Sequence, residues 1–431
     1  MCSITTGVNG MSVFYNIFAL RSIYLNINMS KTSKYFCPAP FNSVTVTATG
    51  RWALCCDSRP KYTFANGYKN IKNTSMHDWF ESDYMDQIRQ SMLDDKPLKE
   101  CGNCYQNEKG GAPSLRQDLL KDFPAVKTKK LKIEYTDIKF GNKCNLRCKM
   151  CYPRSSSELM KEWEALGWHV DDPMQGTRSD YYDGYLEENY NWPMDKKNIQ
   201  TLLEVTKTVK LLKFTGGEPM INPAMFEFLQ HCVDKGHAKD IILYITTNCT
   251  KIHPKFLSLA QKFKQLNLRL SIDGIDKTYD YVRYPGDWNT TFENVKIYST
   301  WYKQGKIKGK IYVNFVLSVF NLNNAVETIK AVSPWVDYFT IKDLTRPEFM
   351  SWTHAPKNIS AGVQKKVDQL INHRDPVIKN AIVLLDGCLK RKLIQTTSKS
   401  HKQLKNFVNS QDSLRKIKIN NYLPEISDLF D

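Results

Sequence analysis

The 431-residue sequence contains no apolar run of 18 residues, the minimum for a membrane-spanning helix, so no transmembrane helix is predicted. It contains no internal repeat, which argues against a solenoid or propeller array. Its first 28 residues hold no Asp or Glu and a single cation, Arg21. The clustered positive charge of a targeting n-region is missing there, and residues 1–33 read as a disordered or mis-started leader. Translation from Met29 is the simpler expectation, because Met-Ser-Lys-Thr-Ser-Lys leads directly towards Cys37. No ordinary acid–base pair or nucleophile constellation stands out either, so nothing points to hydrolytic or acyl-transfer chemistry.

What the chain has in quantity is sulfur and positive charge. Twelve Cys in a chain of this length, without a secretory context, read as metal ligands kept reduced, and they predict a cytoplasmic location. A hydrophobic content of 42% supports a packed core in two domains with extensions. The net charge of +17 is spread out, with concentrations at 121–132 and in the tail. There Lys390, Arg391, Lys392, Lys399, Lys402, Lys405, Arg415, Lys416 and Lys418 face one acid, Asp412. Contact with nucleic acid is one reading of that tail and a solvated helical face is the other. No aromatic interleaving or RNA-binding signature accompanies it.

The most specific signal is Cys144-x3-Cys148-x2-Cys151, directly after an alternating, strand-like segment at 131–140. Zinc sites favour separated C-x2-C knuckles and four ligands, whereas three thiolates on one loop leave a metal position open. A second strand-like run at 209–214 enters Thr215-Gly216-Gly217-Glu218-Pro219. Glycines there allow close backbone approach, and the carboxylate can accept hydrogen bonds from an ammonium group. Strand-like runs at 240–248 and 268–274 end in Thr247-Asn248-Cys249 and in Ser271-Ile272-Asp273. Further helices are expected at 155–166, 223–235, 254–263, 292–304 and 324–331. Strand–helix alternation of this kind argues for a parallel sheet.

In this order the motifs resemble the radical S-adenosylmethionine (radical SAM) enzymes, over about 132–344. The resemblance implies an α/β fold, a partial (β/α)6 TIM-like barrel. It further implies that Cys144, Cys148 and Cys151 bind a [4Fe–4S] cluster whose open iron is chelated by SAM. Gly216, Gly217, Glu218 and Pro219 would hold the SAM amino group. Ser271 and Asp273 would face its ribose, with Asn248, Arg283 and Asn314 as further SAM-site candidates. Met150 replaces the aromatic residue usual before the third Cys. Cys249 replaces a usual Gly, where it reads as a small buried residue or as a thiol at the barrel mouth. An external one-electron reductant such as flavodoxin or ferredoxin is implied as partner.

Upstream, Cys37, Cys55, Cys101 and Cys104 form two separated pairs, with Cys56 beside them. Their spacing, with Gly50, Trp79 and Arg89, resembles the twitch form of the SPASM auxiliary-cluster domain, here placed before the barrel rather than after it. That resemblance implies a second [4Fe–4S] cluster; a zinc ribbon would use the same four sulfurs. The expected organisation is thus a leader (1–33), an auxiliary domain (34–120) with a helix at 76–93, and a linker (121–130). The barrel (131–344) and a mainly helical basic extension (345–431) follow. The aromatic, acidic insertion at 167–195 is a candidate specificity element. The implied activity is oxidation of a small molecule or peptide by hydrogen abstraction, with the auxiliary cluster as electron acceptor. The alternatives are RNA modification and a non-catalytic metal-binding scaffold.

Overall fold

In the computed structural model the described residues are 34–58, 69–111, 114–123, 131–168, 190–391 and 394–430. The leader, most of the linker and most of the 167–195 insertion lie outside them. Contacts divide the chain into a smaller unit, 1–46 with 51–137, and a larger one, 47–50 with 138–431.

The smaller unit opens with α1 (Ala39–Asn42) and an antiparallel pair, β1 (Ser43–Val46) and β2 (Trp52–Ala53), in register Thr45 to Ala53. The single helix expected at 76–93 is two helices, α2 (Met76–Phe80) and α3 (Asp83–Leu93). The break has a local cause. Ser82 adopts an extended conformation and its hydroxyl accepts from Met85 N–H, so it caps a new helix in competition with the old one. The buried Arg89 on α3 donates to the carbonyls of Pro40 and Phe80 and so ties the helices to the chain entering β1. The unit continues through α4 (Gly102–Lys109) and α5 (Leu115–Asp122), the latter opened by a Ser114/Gln117 capping box.

At the boundary lies β3 (Tyr135–Ile138). The larger unit then builds β4 (Leu211–Phe214), β5 (Ile242–Thr247), β6 (Gln265–Ser271), β7 (Gly309–Leu317) and β8 (Tyr338–Asp343), all paired in parallel and in chain order. Ile138 accepts Thr215 N–H, completing six strands of a partial barrel. Each predicted strand is present, displaced by a few residues. β8 is the last strand of the sheet.

The intervening helices are α6 (Ser157–Ala165), α7 (Lys196–Leu203), α8 (Pro223–Asp234), α9 (Phe256–Ala260), α10 (Asp276–Val282), α11 (Trp288–Lys303) and α12 (Ala325–Val332). Strand residues alternate between fully buried (Leu243, Ile245; Leu268, Leu270; Val313, Phe315) and partly open, so one face is core and the other is the concave interior.

After β8 come α13 (Lys357–Leu370), α14 (Pro376–Arg391) and α15 (Ser398–Arg415). α14 lies against β8, its Cys388 thiol near the Ile341 carbonyl. The extension therefore supplies the helix that follows the sixth strand. Several of its cations are structural: Arg391 pairs with Asp343, and Arg415 is buried on Glu162. No helix among the described residues is long and apolar enough to cross a membrane.

Candidate active site

The cysteine triplet follows β3 as an irregular loop, because successive residues are claimed by different neighbours. Arg147 N–H donates to Tyr284 O, Lys149 N–H to Val282 O and Cys151 N–H to Cys148 O. Glu218 N–H donates to Lys143 O, which brings the Gly-Gly-Glu turn onto the cysteine loop backbone to backbone. Only glycine fits that approach. Gly216 and Gly217 have φ of 74° and 56°, and a Cβ on Gly217 would lie 2.4 Å from Lys143 O.

Cys144, Cys148, Cys151, Gly216, Gly217 and Glu218 line one cavity of about 260 Å³, with Asn248, Ser271 and Arg283 also in its wall. Five segments separated in sequence thus meet where the parallel strands end, the position at which such sheets place ligands. Pro219 is buried and begins a short turn of 3-10 helix behind the cavity. Asn248 bridges the β5 end to the cysteine loop, its Nδ2 lying 3.1 Å from Asn145 Oδ1 and 3.9 Å from the Cys144 sulfur.

Arg283 is better defined than a solvated helix residue. Its Nε and Nη2 donate to Asp273 Oδ2, and its Nη1 lies 3.9 Å from the Cys148 sulfur. Asp273 is completely buried. Its other oxygen accepts Val316 N–H at 2.7 Å, so both oxygens are engaged and the residue is outside the cavity wall. Asn314 stands beside Ser271 in the β6–β7 register without lining the cavity. Cys249 is fully buried with φ of 63° and also lies outside the wall. That left-handed backbone is where glycine would be the ordinary choice.

Burial sets the electrostatics. It pushes the Cys144 thiol up to about 12 and raises the Cys148 thiol as well, the Arg283 cation opposing the latter. A coordinating metal reverses that preference and deprotonates the thiols, and Arg283 then offsets part of the charge. Burial also raises Glu218 to about 6, against hydrogen bonds from Asn248 N–H, Met220 N–H and the Thr247 hydroxyl. Ionising Glu218 therefore costs more folded than unfolded, a penalty absent below about pH 4.5 and complete above about pH 6. Wild type should lose roughly 2 kcal/mol relative to Glu218→Gln across that window. Denaturant titrations at several pH values measure it, and parallel pH curves for the two proteins would contradict it.

A clamp from the C-terminal helix holds the cysteine loop. Lys149, fully buried between two candidate ligands, donates to Asp412 Oδ1 at 2.6 Å, and the Tyr281 hydroxyl donates to the same carboxylate at 3.1 Å. Burial and the nearby Arg415 cation lower Lys149 to about 7, and Asp412 works the other way. Arg415 donates to the Arg147 carbonyl and to both oxygens of buried Glu162, and Gln411 donates to Glu162 as well. Sequence reading counted Asp412 and Arg415 only as tail charges. An acid isolated among nine cations was the one available signal.

In the smaller unit Cys37, Cys55, Cys101 and Cys104 line a single cavity, and Cys56 is not in its wall. Burial pushes Cys37 up to about 12 and Cys104 to about 11. Arg116 donates to Phe36 O and pairs with Glu108, fixing the segment that leads into Cys37. Among the described residues no three His, Cys, Asp or Glu converge tightly enough for a single metal ion.

Residues 138–313 match the model of the Radical SAM superfamily, and residues 37–105 match SPASM, an iron–sulfur cluster-binding domain. No curated protein matches the sequence. Among solved structures, the chain is similar to Streptococcus suis SuiB bound to S-adenosylmethionine, at 17% identity over 56% of this chain and 45% of that one, with TM-score 0.31. SuiB bound to precursor peptide SuiA gives 16% identity over 71% and 66%, with TM-score 0.34. Native anSMEcpe with bound AdoMet gives 16% over 66% and 62%, with TM-score 0.30. The chain thus spans less than two thirds of the length of each. The two domain matches imply a [4Fe–4S] cluster with SAM in the larger unit and further iron–sulfur binding in the smaller. The residues present fit both groups: buried and half-buried thiols share one cavity in each unit, and the cavity of the larger unit is cradled by glycines that admit no Cβ.

Proposed function

This chain is a radical SAM enzyme with a SPASM-type auxiliary iron–sulfur domain, and on that premise we propose that it oxidises a small-molecule or peptide substrate by hydrogen abstraction. The observation that carries the proposal is the meeting of Cys144, Cys148 and Cys151 with Gly216, Gly217 and Glu218 around one cavity at the strand ends. A reduced cluster held there would supply one electron to the sulfonium of SAM, which would give methionine and a 5′-deoxyadenosyl radical able to take hydrogen from the substrate.

The chain's own residues bind and orient. Cys144, Cys148 and Cys151 would hold the cluster, and a set of three thiolates would leave room for SAM to bind it. Gly216 and Gly217 present backbone to the amino acid portion of SAM. Glu218 braces the end of β5, and its Oε2, which accepts only Asn248 N–H, has a lone pair left for an ammonium group. Ser271 reaches the nucleoside portion. Arg283, held by Asp273, sets the charge beside Cys148. Cys37, Cys55, Cys101 and Cys104 would hold the auxiliary cluster, which would take one electron from the substrate radical to complete its oxidation.

The test is anaerobic reconstitution of the full chain with iron and sulfide, followed by dithionite and SAM. Equimolar 5′-deoxyadenosine and methionine are expected. Their absence with the cluster spectroscopically present would overturn the proposal.

A further inference from the structure

The concave face beside this site carries a cation that has no counter-ion among the described residues. Arg269 points inward from β6, two residues before Ser271 on the same face and so roughly 7 Å from it along the strand. Its register neighbours are Thr246 on β5, which lines the site cavity, and Tyr312 on β7. The guanidinium carbon lies 5.5 Å from the ring centre of Tyr244 and 5.6 Å from that of Tyr312. Tyr312 in turn stacks on Tyr338, with ring centres 5.3 Å apart and planes at 23°.

Ring faces stabilise a cation, but they accept none of its five in-plane donors. Arg269 Nε is shut off from solvent without an acceptor, and no carboxylate among the described residues pairs with the side chain. Along β4–β8 the inward positions, from Leu211 to Lys342, carry no Asp or Glu at all. Leaving donors unmet in a partly desolvated slot is costly unless something else satisfies them.

We infer that Arg269 is the docking point for a carboxylate of the substrate, seated in a slot whose walls are the rings of Tyr244 and Tyr312. The inference rests on the proposed function above and narrows its substrate class to organic carboxylates, free or within a peptide. One planar fork matches one planar carboxylate in a bidentate pair. A phosphate dianion ordinarily takes a nest of backbone N–H groups or a helix N-terminus as well, and the regular inward face of a parallel strand offers neither. The position follows the same logic: a group fixed beside Thr246 and one row from Ser271 holds the rest of the substrate against the SAM cavity.

Benzoate is the probe, with benzamide as its uncharged isostere and inorganic phosphate as the competing anion. Each is titrated calorimetrically into the full chain, reconstituted and loaded with SAM under anaerobic conditions. Benzoate should bind in preference to both. Arg269→Met, which keeps the stem between the rings, should weaken benzoate at least about tenfold, the loss expected for a charge-assisted pair. Arg269→Lys, which keeps charge without the fork, should fall between. Lys306→Gln, which removes an exposed cation elsewhere, should leave binding unchanged. Equal binding of benzamide, a preference for phosphate, no benzoate binding to wild type, or equal weakening in Lys306→Gln would each overturn the assignment. Should Arg269→Met fail to fold, the Arg269→Lys and wild-type titrations still decide. Failure of the wider proposal reads differently: wild type would then release no 5′-deoxyadenosine whatever its affinity for benzoate.

Discussion

Cys148→Ala is expected to reduce 5′-deoxyadenosine release to that of an enzyme-free control. Cys148 is the most enclosed of the three candidate ligands and the one facing Arg283. With only two thiolates left on the loop, the cluster loses the ligand set that leaves a single iron open. Arg283 remains anchored on Asp273, so the variant removes a ligand without dismantling the wall around it. Cys249→Gly supplies the contrast. It removes a buried thiol outside the cavity at a backbone conformation glycine favours, and activity should persist. Chromatographic assay of 5′-deoxyadenosine measures both. Wild-type turnover in Cys148→Ala would remove this loop from the chemistry.

The second large effect concerns stability. Asp412→Ala should lower the unfolding free energy by roughly 3–5 kcal/mol, because it strands the buried ammonium of Lys149 without its carboxylate. Tyr281 loses its acceptor in the same step, and the cation is left over that ring at 4.3 Å with only π-attraction. Adding Lys149→Met should recover much of the loss, since removing both partners of a buried pair leaves no uncompensated charge. Denaturant titration of the two variants and their double mutant gives the comparison. A change within about 1 kcal/mol for Asp412→Ala would mean that the pair is exchangeable with water. Because Lys149 lies between two candidate ligands, Asp412→Ala should also retain less iron after desalting.

The parts of this site that were legible in the sequence were those whose geometry is local. The cysteine spacing fixes three thiols on one loop whatever surrounds them. Gly216-Gly217 announces a backbone approach because both positions need a left-handed φ. Strand periodicity located β3, β4, β5 and β6 to within a few residues, since burial on one face imposes it. The less legible parts depend on contacts between distant residues. Lys149 meets Asp412 across 263 positions, and nothing near either residue declares the pair. The family resemblance implies that Asp273 faces the ribose, yet Arg283 and Val316 N–H occupy its oxygens. Arg269 looked like one more polar residue in an alternating strand. Only the register that sets Tyr312 beside it, with Tyr244 at its other face, shows a cation held between rings with no carboxylate partner among the described residues. The split at Ser82 went the other way. Its cause was local, but the apolar spacing of Trp79, Ile88 and Met92 suited one continuous helix as well as two.

Iron and acid-labile sulfide, measured beside zinc on the reconstituted wild type and on a variant with Cys144, Cys148 and Cys151 all replaced by Ala, test the account most directly. Two clusters on two thiol sets predict about eight irons in wild type and about four in the variant, with sulfide in equal amount. About four irons falling to none, with zinc retained, would contradict it by making the smaller unit a zinc site.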